Sequence, residues 1–252
     1  MSATHARKKP FLRLATAAVA MVAALGMAAC SSGASTSSSS SSSAQVGDRS
    51  PEQIKEAGEI VIGIFSDKAP FGYIDADGKP AGYDVVYGDR IAADLGVTAK
   101  YVPVDAAART EVLASNKVDI TLANFTVTPE RAEKVDFANP YFKVSLGVVS
   151  PTSAEITDVS QLAGKTLIVT KGTTAEAYFE ANHPEVKLQK YDQYSDAYQA
   201  LEDGRGDAFS TDNTEVIAWA IAHPGFSVGI KSLGETSYIA AAVKKGNAPL
   251  LD

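Results

Sequence analysis

Cysteine is almost absent from this chain. Of the 252 residues only Cys30 is a cysteine, which excludes an internal disulfide and a cysteine-based zinc site. Histidine is scarce too, and His183 and His223 each precede a proline at an expected helix end, a turn position and not a metal-ligand position. The motifs G-x-S-x-G, G-x-x-x-x-G-K-[ST] and H-E-x-x-H are missing. The sequence therefore predicts no metal, no cofactor and no enzymatic activity.

A surplus of basic residues is also missing. The chain has 23 Lys and Arg against 30 Asp and Glu, a formal charge of −7, and four of the basic residues lie before residue 30. The chain from Cys30 onward therefore carries −7 − 4 = −11. This sign argues against nucleic acid or an anionic lipid surface as a partner.

The first 29 residues read as an export signal. A basic start is followed by an apolar run over residues 14–29 that is too short to span a membrane comfortably. The run ends in Met27-Ala28-Ala29-Cys30, which resembles the lipobox of bacterial lipoproteins, whose cysteine becomes lipid-anchored. An ordinary cleaved signal that leaves a free cysteine is the alternative. Residues 30–50 are rich in serine, and we expect a flexible tether there.

The rest of the chain alternates between β-branched apolar runs and amphipathic segments. The predicted strands are 60–65, 100–103, 119–123, 166–169, 186–190 and 207–210. The predicted helices are 84–95, 106–115, 173–181, 195–202 and 213–222. Residues 73–83, around Asp77-Gly78, predict a β-hairpin. Such alternation is typical of an α/β protein with mostly parallel sheets.

The two halves of this region resemble each other. SNKVDITLAN at 115–124 aligns without gaps on DGRGDAFSTD at 203–212, and each reads as a helix end, a turn, a basic residue and an Asp-led strand. Two lobes of similar build are predicted, with chance similarity of two βα units as the alternative. Asn124 and Asp212 would then lie at equivalent strand ends, where open α/β sheets bind ligands.

Arg131 occupies an unusual position. Thr128 and Pro129 predict a helix start, and a capping box would place Glu or Gln at the residue that is Arg131. The arginine either pairs with a nearby acidic residue at the surface or holds a ligand carboxylate, helped by the Thr126 hydroxyl. Asp212 either caps the helix that follows it or faces a ligand ammonium. Together Arg131 and Asp212 match a zwitterion.

Further candidates surround this pair. Thr173 and Thr174 follow the turn at Gly172, where a helix start offers amides and hydroxyls to an anion, although one of them can be a plain N-cap. Lys68 is either a solvated loop lysine, the commoner use, or a partner for an acidic ligand. Three aromatic residues either wall a pocket or belong to the core: Phe71, Tyr73 and Phe125.

These residues lie in segments that resemble a known family. PFGYIDADGKPAGYDVVYGDRIAADLG, NFTVTPERAEKVDFANPY, GKTLIVTKGTTAEAYF and GDAFSTDN are similar to the family 3 extracellular solute-binding proteins, the polar amino-acid receptors of ABC importers. FSDKAPFGY, SNKVDI, LANFT and TDNT look most like the cysteine-binding branch. The resemblance implies a two-lobed, periplasmic-binding-protein-like (type II) fold with the ligand cleft between the lobes.

The resemblance also implies roles for single residues. The arginine of the family's T-x-x-x-x-R pattern holds the ligand α-carboxylate, and it falls on Arg131, with Thr126 and Thr174 as partners. Asp212 then takes the α-ammonium, and Asn124 stands where the backbone carbonyl of relatives meets the same group. We expect a monomeric, lipid-anchored receptor at the outer face of the cytoplasmic membrane (or on its periplasmic side) that passes a free L-amino acid to an ABC permease. Cysteine is favoured, and other polar or acidic amino acids stay possible.

The expected chain course places residues 51–146 and 237–252 in the first lobe and 147–236 in the second. Val86 replaces an acid of the family signature and is expected at the surface, and relatives continue beyond Asp252 with a helix. Two alternatives to a transport receptor stay open. One is an enzyme similar to the cyclohexadienyl dehydratases of this scaffold, with Glu176 as its acid. The other is an amino-acid-sensing or adhesin lipoprotein.

Overall fold

The structure is a computed structural model of the chain and describes residues 45–252. The predicted signal peptide, the lipobox at Cys30 and the serine-rich stretch that ends at Ser43 lie outside the described residues. Within the described part, no helix has both the length and the apolar character needed to cross a membrane.

Thirteen strands are formed by the described residues. They are β1 Glu59–Ile64, β2 Asp67–Lys68, β3 Gly72–Ile74, β4 Pro80–Ala81, β5 Thr98–Pro103, β6 Ile120–Thr121, β7 Val135–Phe137, β8 Phe142–Pro151, β9 Thr166–Thr170, β10 Lys187–Tyr191, β11 Ala208–Asp212, β12 Phe226–Ile239 and β13 Ala242–Lys244.

Eight α-helices connect or flank these strands in the same range. They are α1 Pro51–Ala57, α2 Tyr83–Leu95, α3 Arg109–Ala114, α4 Pro129–Ala132, α5 Thr174–Asn182, α6 Tyr194–Glu202, α7 Asn213–Ala222 and α8 Ala248–Leu251. The predicted helix 106–115 is a 3₁₀ turn, Ala106–Ala108, followed by α3.

Two five-stranded sheets organise the molecule. The first has the order β5-β1-β6-β13-β7, and the second has the order β10-β9-β11-β8-β12. In each sheet the first three strands pair in parallel, and one antiparallel strand, β13 or β8, joins them to the last. Four of five strands therefore run the same way, which confirms the predicted α/β class with mostly parallel sheets.

The internal repeat has a physical basis in two aspartates. Asp119 accepts a hydrogen bond from the Val61 amide and donates its own amide to the Val61 carbonyl. Asp207 has the same pair of bonds with Thr166 at the start of β9. Each aspartate thus fastens a central strand to its neighbour at the amino edge of its sheet. The carboxyl ends of β6 and β11 lie at the opposite edges, which face each other.

A small third sheet, β2-β3-β4, precedes α2. The predicted hairpin at Asp77-Gly78 is confirmed: β3 and β4 are antiparallel, and the Asp75 carboxylate accepts the amides of Asp77 and Lys79. The hairpin ends before Tyr83, which already belongs to α2. Val86 on that helix is 73% exposed, as expected for a surface position.

The apolar core is continuous between the two main sheets. One buried cluster contains Val61 and Phe65, from the part of the chain built around the first sheet (the first sheet region), together with Ile168 and Phe209, from the part built around the second sheet (the second sheet region). Phe65 meets the ring of Tyr194 edge-on, with 5.3 Å between ring centroids. Because apolar side chains already join the two parts, the polar groups between them lie in a largely dry environment.

Candidate ligand-binding site

Arg131 lies where the two sheets face each other. Thr128 caps a single helical turn and accepts the Arg131 amide at 3.2 Å, which confirms the predicted helix start. The guanidinium donates to the Thr126 carbonyl at 2.8 Å and to the Gly172 carbonyl of the second sheet region at 2.9 Å. Among the described residues no carboxylate pairs with it. The expectation of a surface ion pair is thus not realised.

A second arginine accompanies Arg131. Arg109 is 3% exposed and donates to the carbonyls of Ala123, Asn124 and Gly172 at 3.0–3.2 Å. Burial lowers the pKa of Arg109, and burial together with the nearby Arg109 charge lowers the pKa of Arg131 to about 9. The two guanidinium groups, one buried and one half-buried, both donate to the Gly172 carbonyl, and an added anion would interact favourably with both charges.

Asp212 is the last residue of β11 and is 6% exposed. Its carboxylate makes no capping hydrogen bond to α7, so the helix-cap alternative is not realised. The carboxylate instead accepts the side-chain amide of Asn124 from the first sheet region. The two residues that the repeat predicted to be equivalent are therefore in direct contact.

The backbone before Asn124 is held in an uncommon conformation. Ala123 and Asn124 have φ values of 37° and 42°, and the predicted strand 119–123 therefore shortens to β6. The Asn124 amide donates to the buried Asp84 carboxylate at 2.9 Å, while Arg109 binds both carbonyls of the turn. Left-handed non-glycine residues persist where surroundings fix them, and this turn is fixed on both of its polar faces.

The turn before α5 presents two threonines with different roles. Thr173 is the N-cap: its hydroxyl donates to the Thr170 carbonyl at 2.7 Å and accepts the Glu176 amide at 3.2 Å. That hydroxyl is fully engaged within its own turn. Thr174, the first residue of α5, lines both cavities that open between the sheets.

Lys68 corrects the prediction of a solvated loop lysine, because its side chain is 0% exposed. It forms a salt bridge with Glu215, donates to the Thr211 hydroxyl at 3.2 Å, and its Nζ lies 3.8 Å from an Asp212 oxygen. Burial is the largest single influence and lowers the pKa of Lys68, but the interactions with Glu215, Tyr194 and Asp212 together outweigh it, so the pKa is raised. Lys68 is therefore a charged link between the sheet regions.

Two adjoining cavities open at this place. The inner pocket has a volume of about 10 Å³ and is lined by Arg109, Asn124, Thr126, Thr173, Thr174, Ala175, Tyr194, Thr211 and Asp212. The outer cleft has a volume of about 540 Å³ and is lined by residues that include Arg109, Phe125, Arg131, Lys134, Gly172, Thr174 and Glu176. Arg109 and Asp212, which have opposite charges, both line the inner pocket, whereas Arg131 lines only the outer cleft.

Residues 60–252 match the family described as "Bacterial extracellular solute-binding proteins, family 3". The chain belongs to this family. A solved structure titled as the solute receptor for L-cysteine of Neisseria gonorrhoeae is 54% identical, covers 81% of this chain and 84% of its own, and has a TM-score of 0.79. The cysteine-binding protein of Campylobacter jejuni is 52% identical, covers 80% and 82%, and has a TM-score of 0.78.

More distant relatives are named for other ligands. The ABC transporter glutamine-binding protein GlnH of Bacillus subtilis is 29% identical over 202 residues, which are 78% of this chain and 74% of that protein. These relatives are named as binding proteins, which agrees with the expectation that this solute-binding protein is not an enzyme.

The predicted aromatic walls of this solute-binding protein lie in different places. Phe125 lines the outer cleft, with the Arg109 and Arg131 guanidinium carbons 4.7 and 5.1 Å from its ring centroid. Phe71 and Tyr73 line neither cavity. Phe71 is buried against Tyr83 and Phe142, and Tyr73 pairs with Asp67 and Ala81 in the small sheet.

Arg109 was missed by sequence reasoning. Asp105 precedes it by four residues, the spacing of an ordinary exposed ion pair, so nothing local marked it as buried. In this solute-binding protein Asp105 instead accepts Gln193 from the second sheet region at 2.5 Å. Tyr194, Asp84 and Glu215 were missed for the same reason: each acquires its role from residues distant in sequence.

Proposed function

We propose that this protein is the substrate-binding lipoprotein of an ABC importer and captures a free L-amino acid, with cysteine favoured. Support comes from the family match and from two solved relatives, titled for L-cysteine and cysteine, that share 54% and 52% of their residues with this chain. An ABC importer is supported by relatives such as the ABC transporter glutamine-binding protein of B. subtilis.

The observation that carries the proposal is the presence of opposite charges at the two adjoining cavities. Arg109 lines both cavities and Arg131 lines the outer one, neither with a carboxylate partner among the described residues, and Asp212 lines the inner one. We assign the ligand carboxylate to Arg131, with Thr126 and the hydroxyl and amide of Thr174, and the ammonium to Asp212. The Asn124 carbonyl assists at the ammonium, and Thr173 shapes the turn. Charge-assisted hydrogen bonds of this kind are the strong ones.

The surroundings of Lys68 bear on the ligand side chain. Glu215 neutralises the charge of Lys68, and the Asp212 carboxylate adds a further negative charge 3.8 Å from the Lys68 Nζ. Lys68 lines neither cavity and is paired with Glu215, so it offers no free positive charge to an acidic ligand side chain, which favours an uncharged side chain such as that of cysteine over aspartate or glutamate.

Transport requires a signal that a ligand is bound, and closure of the lobes supplies it. Polar contacts that join the two sheet regions around the pocket include Lys68 with Glu215, Asn124 with Asp212, Arg109 and Arg131 with Gly172, and Asp105 with Gln193. A ligand that bridges Arg131 and Asp212 adds to these contacts only when the lobes are together. The ligand therefore shifts the population toward a closed form that a permease recognises.

The amino-terminal segment is the basis for the proposed lipid anchor and for the proposed location of the protein. Cys30 is the lipidated residue, and the protein works as a monomer at the outer face of the cytoplasmic membrane. The dehydratase-like alternative has little support at its candidate acid. Glu176 accepts the Gly172 amide at 2.7 Å and pairs with Lys190 at 2.9 Å, so its carboxylate is engaged in holding the turn.

A thermal-shift screen tests the proposed function. The mature chain, residues 30–252, is heated with each amino acid, with cysteine under reductant, with cystine and with prephenate. A ligand at a hundred times its dissociation constant adds about 2.7 kcal/mol to the free energy of unfolding. We expect L-cysteine to give the largest shift. A shift with prephenate alone, accompanied by its turnover, would replace the receptor with an enzyme.

A further inference from the structure

The side chain of Asn124 is only half satisfied. Its Nδ2 donates to Asp212, and because a carboxylate only accepts, the amide must turn its nitrogen to that side. Its Oδ1 then has no hydrogen-bond partner among residues 45–252, although the residue is 1% exposed. A buried oxygen without a donor is costly and calls for an explanation. A donor group on a bound ligand provides one.

The same side chain also fills space in the inner pocket. Asn124, three residues after the end of β6, reaches Asp212 at the end of β11, and so it crosses the polar space between the sheets. The pocket around it has a volume of only about 10 Å³, room for about one water molecule, so an amino acid can enter only when the two sheet regions move apart. In the space that then opens, the Asn124 amide occupies volume that a long ligand side chain would need.

The backbone at this position makes the side chain informative. With φ at 42°, glycine would be at ease, and asparagine is one of few other residues that tolerate the left-handed region. The asparagine side chain is therefore present at a position where the backbone conformation favours glycine.

We propose that Asn124 sets ligand specificity: its side chain admits an amino acid with a short side chain ending in a thiol or hydroxyl donor, which bonds Oδ1, and excludes longer ones. This inference rests on the proposed function and names the ligand class of the same site. Cysteine and serine fit it, whereas glutamine and arginine do not.

The test compares Asn124→Gly with the parent by calorimetric titration of L-cysteine, under reductant, and of L-glutamine. Glycine suits φ 42° and removes both the acceptor and the bulk. We expect affinity for cysteine to fall about tenfold or more, the cost of one buried hydrogen bond to an uncharged partner. We expect the ratio of cysteine to glutamine affinity to fall by a further factor, because glutamine gains room.

Asn116→Gly is the matched control. Asn116 is also an asparagine with positive φ, at 58°, and its equivalent in the repeat is Gly204, but it lies at the opposite edge of the first sheet beside Gln45 and Asp48. This variant keeps the parent's ligand preference.

The outcomes separate the two proposals. A parent that binds no amino acid overturns the proposed function and this inference with it. A parent that binds cysteine, together with a folded Asn124→Gly protein whose cysteine affinity and cysteine-to-glutamine ratio equal those of the parent, overturns this inference alone.

Discussion

Single charged residues decide what this pocket can hold, because most of its wall is buried and polar. Arg131 and Arg109 have no carboxylate partner in the described chain, while Asp212 accepts the Asn124 side-chain amide and lies 3.8 Å from the Lys68 Nζ. The two arginines are poorly solvated, so a ligand carboxylate offers them a counter-charge that the described chain does not.

Arg131→Met should reduce affinity for the amino acid about a hundredfold or more, since a charge-assisted bond to a carboxylate contributes about 1.5–3 kcal/mol and Arg131 can supply two. Methionine keeps much of the side-chain volume. The measurement is calorimetric titration with L-cysteine. Arg90→Met is the control, because Arg90 is an exposed arginine that pairs only with Asp94 on its own helix. Equal affinity in the Arg131 and Arg90 variants would refute the assigned role.

Asp84→Asn should change how stability depends on pH. Burial raises the pKa of Asp84 to about 6, against the hydrogen bonds from the Asn124 amide and Tyr141 and the positive charges of Lys68 and Arg109. The unfolded pKa is about 3.9, so between about pH 4 and 6 the folded chain holds a proton that the unfolded chain has lost.

The free energy of unfolding contributed by Asp84 therefore falls as pH rises through this window, by about 2–3 kcal/mol. The variant lacks the proton, so the parent-minus-variant difference in denaturant unfolding should fall between pH 4 and pH 6. A difference that is flat over this range would contradict the assignment. The asparagine can still accept the Asn124 amide, so the turn is kept.

Helices and strands were largely predictable, whereas their polar connections were not. The predicted helix over 213–222 coincides with α7, because Asp212-Asn213 and a run of apolar residues mark it locally. The strand predicted at 119–123 shortens to two residues, because Arg109 and Asp84 bend the chain at Ala123 and Asn124. The local sequence pattern determines the helices and strands, whereas partners distant in sequence determine the turns at the site.

Lys68 marks the same limit at the site. Sequence reasoning placed it near the cleft but favoured a solvated side chain, because β2 is only two residues long and its surroundings look like a loop. Its burial depends on Glu215 of α7, 147 residues away. Arg131, Asp212 and Thr174 could be proposed in advance because each follows directly from a strand end or a helix start.

Lys68→Met should therefore destabilise the protein by about 3–5 kcal/mol, since it leaves Glu215 buried without its counter-charge. The double variant Lys68→Met/Glu215→Gln should recover a large part of that loss, because the amide oxygen can accept from one of the Thr211 and Tyr198 hydroxyls while the amide nitrogen donates to the other. Chemical denaturation measures both. Lys100→Met is the control: it breaks an exposed pair with Glu59 and should cost less than about 1 kcal/mol. A single variant no worse than this control would show that the buried pair is unimportant.

Ligand binding depends on how closely the two sheet regions can approach each other. Gly172, with φ at 72°, lies against Ala107 of the other sheet region, and a Cβ added at Gly172 would be 2.5 Å from the Ala107 Cα. Its carbonyl accepts both Arg109 and Arg131. This close contact is the point at which a single methyl group can hold the lobes apart.

Gly172→Ala should weaken ligand binding about tenfold or more, because about 1.4 kcal/mol of lost closure is enough for that factor. Small-angle scattering should show less compaction with L-cysteine than in the parent. Gly204→Ala is the control, since Gly204 has φ at 69° but no atom within 4 Å of an added Cβ. It carries the same backbone strain and should keep the parent's affinity. Equal affinity losses in the two variants would mean that strain, and not the contact, matters.

The central claim is that the protein recognises both charged groups of a free amino acid: Arg131 of one lobe binds the carboxylate, and Asp212 of the other lobe binds the ammonium. Calorimetric titration of the parent with L-cysteine, 3-mercaptopropionate and cysteamine tests this most directly, because the second ligand lacks the ammonium and the third lacks the carboxylate. We predict tight binding of L-cysteine and a loss of about a hundredfold or more for each of the others. Binding of either analogue as tight as that of L-cysteine, or no binding of L-cysteine, would contradict the account.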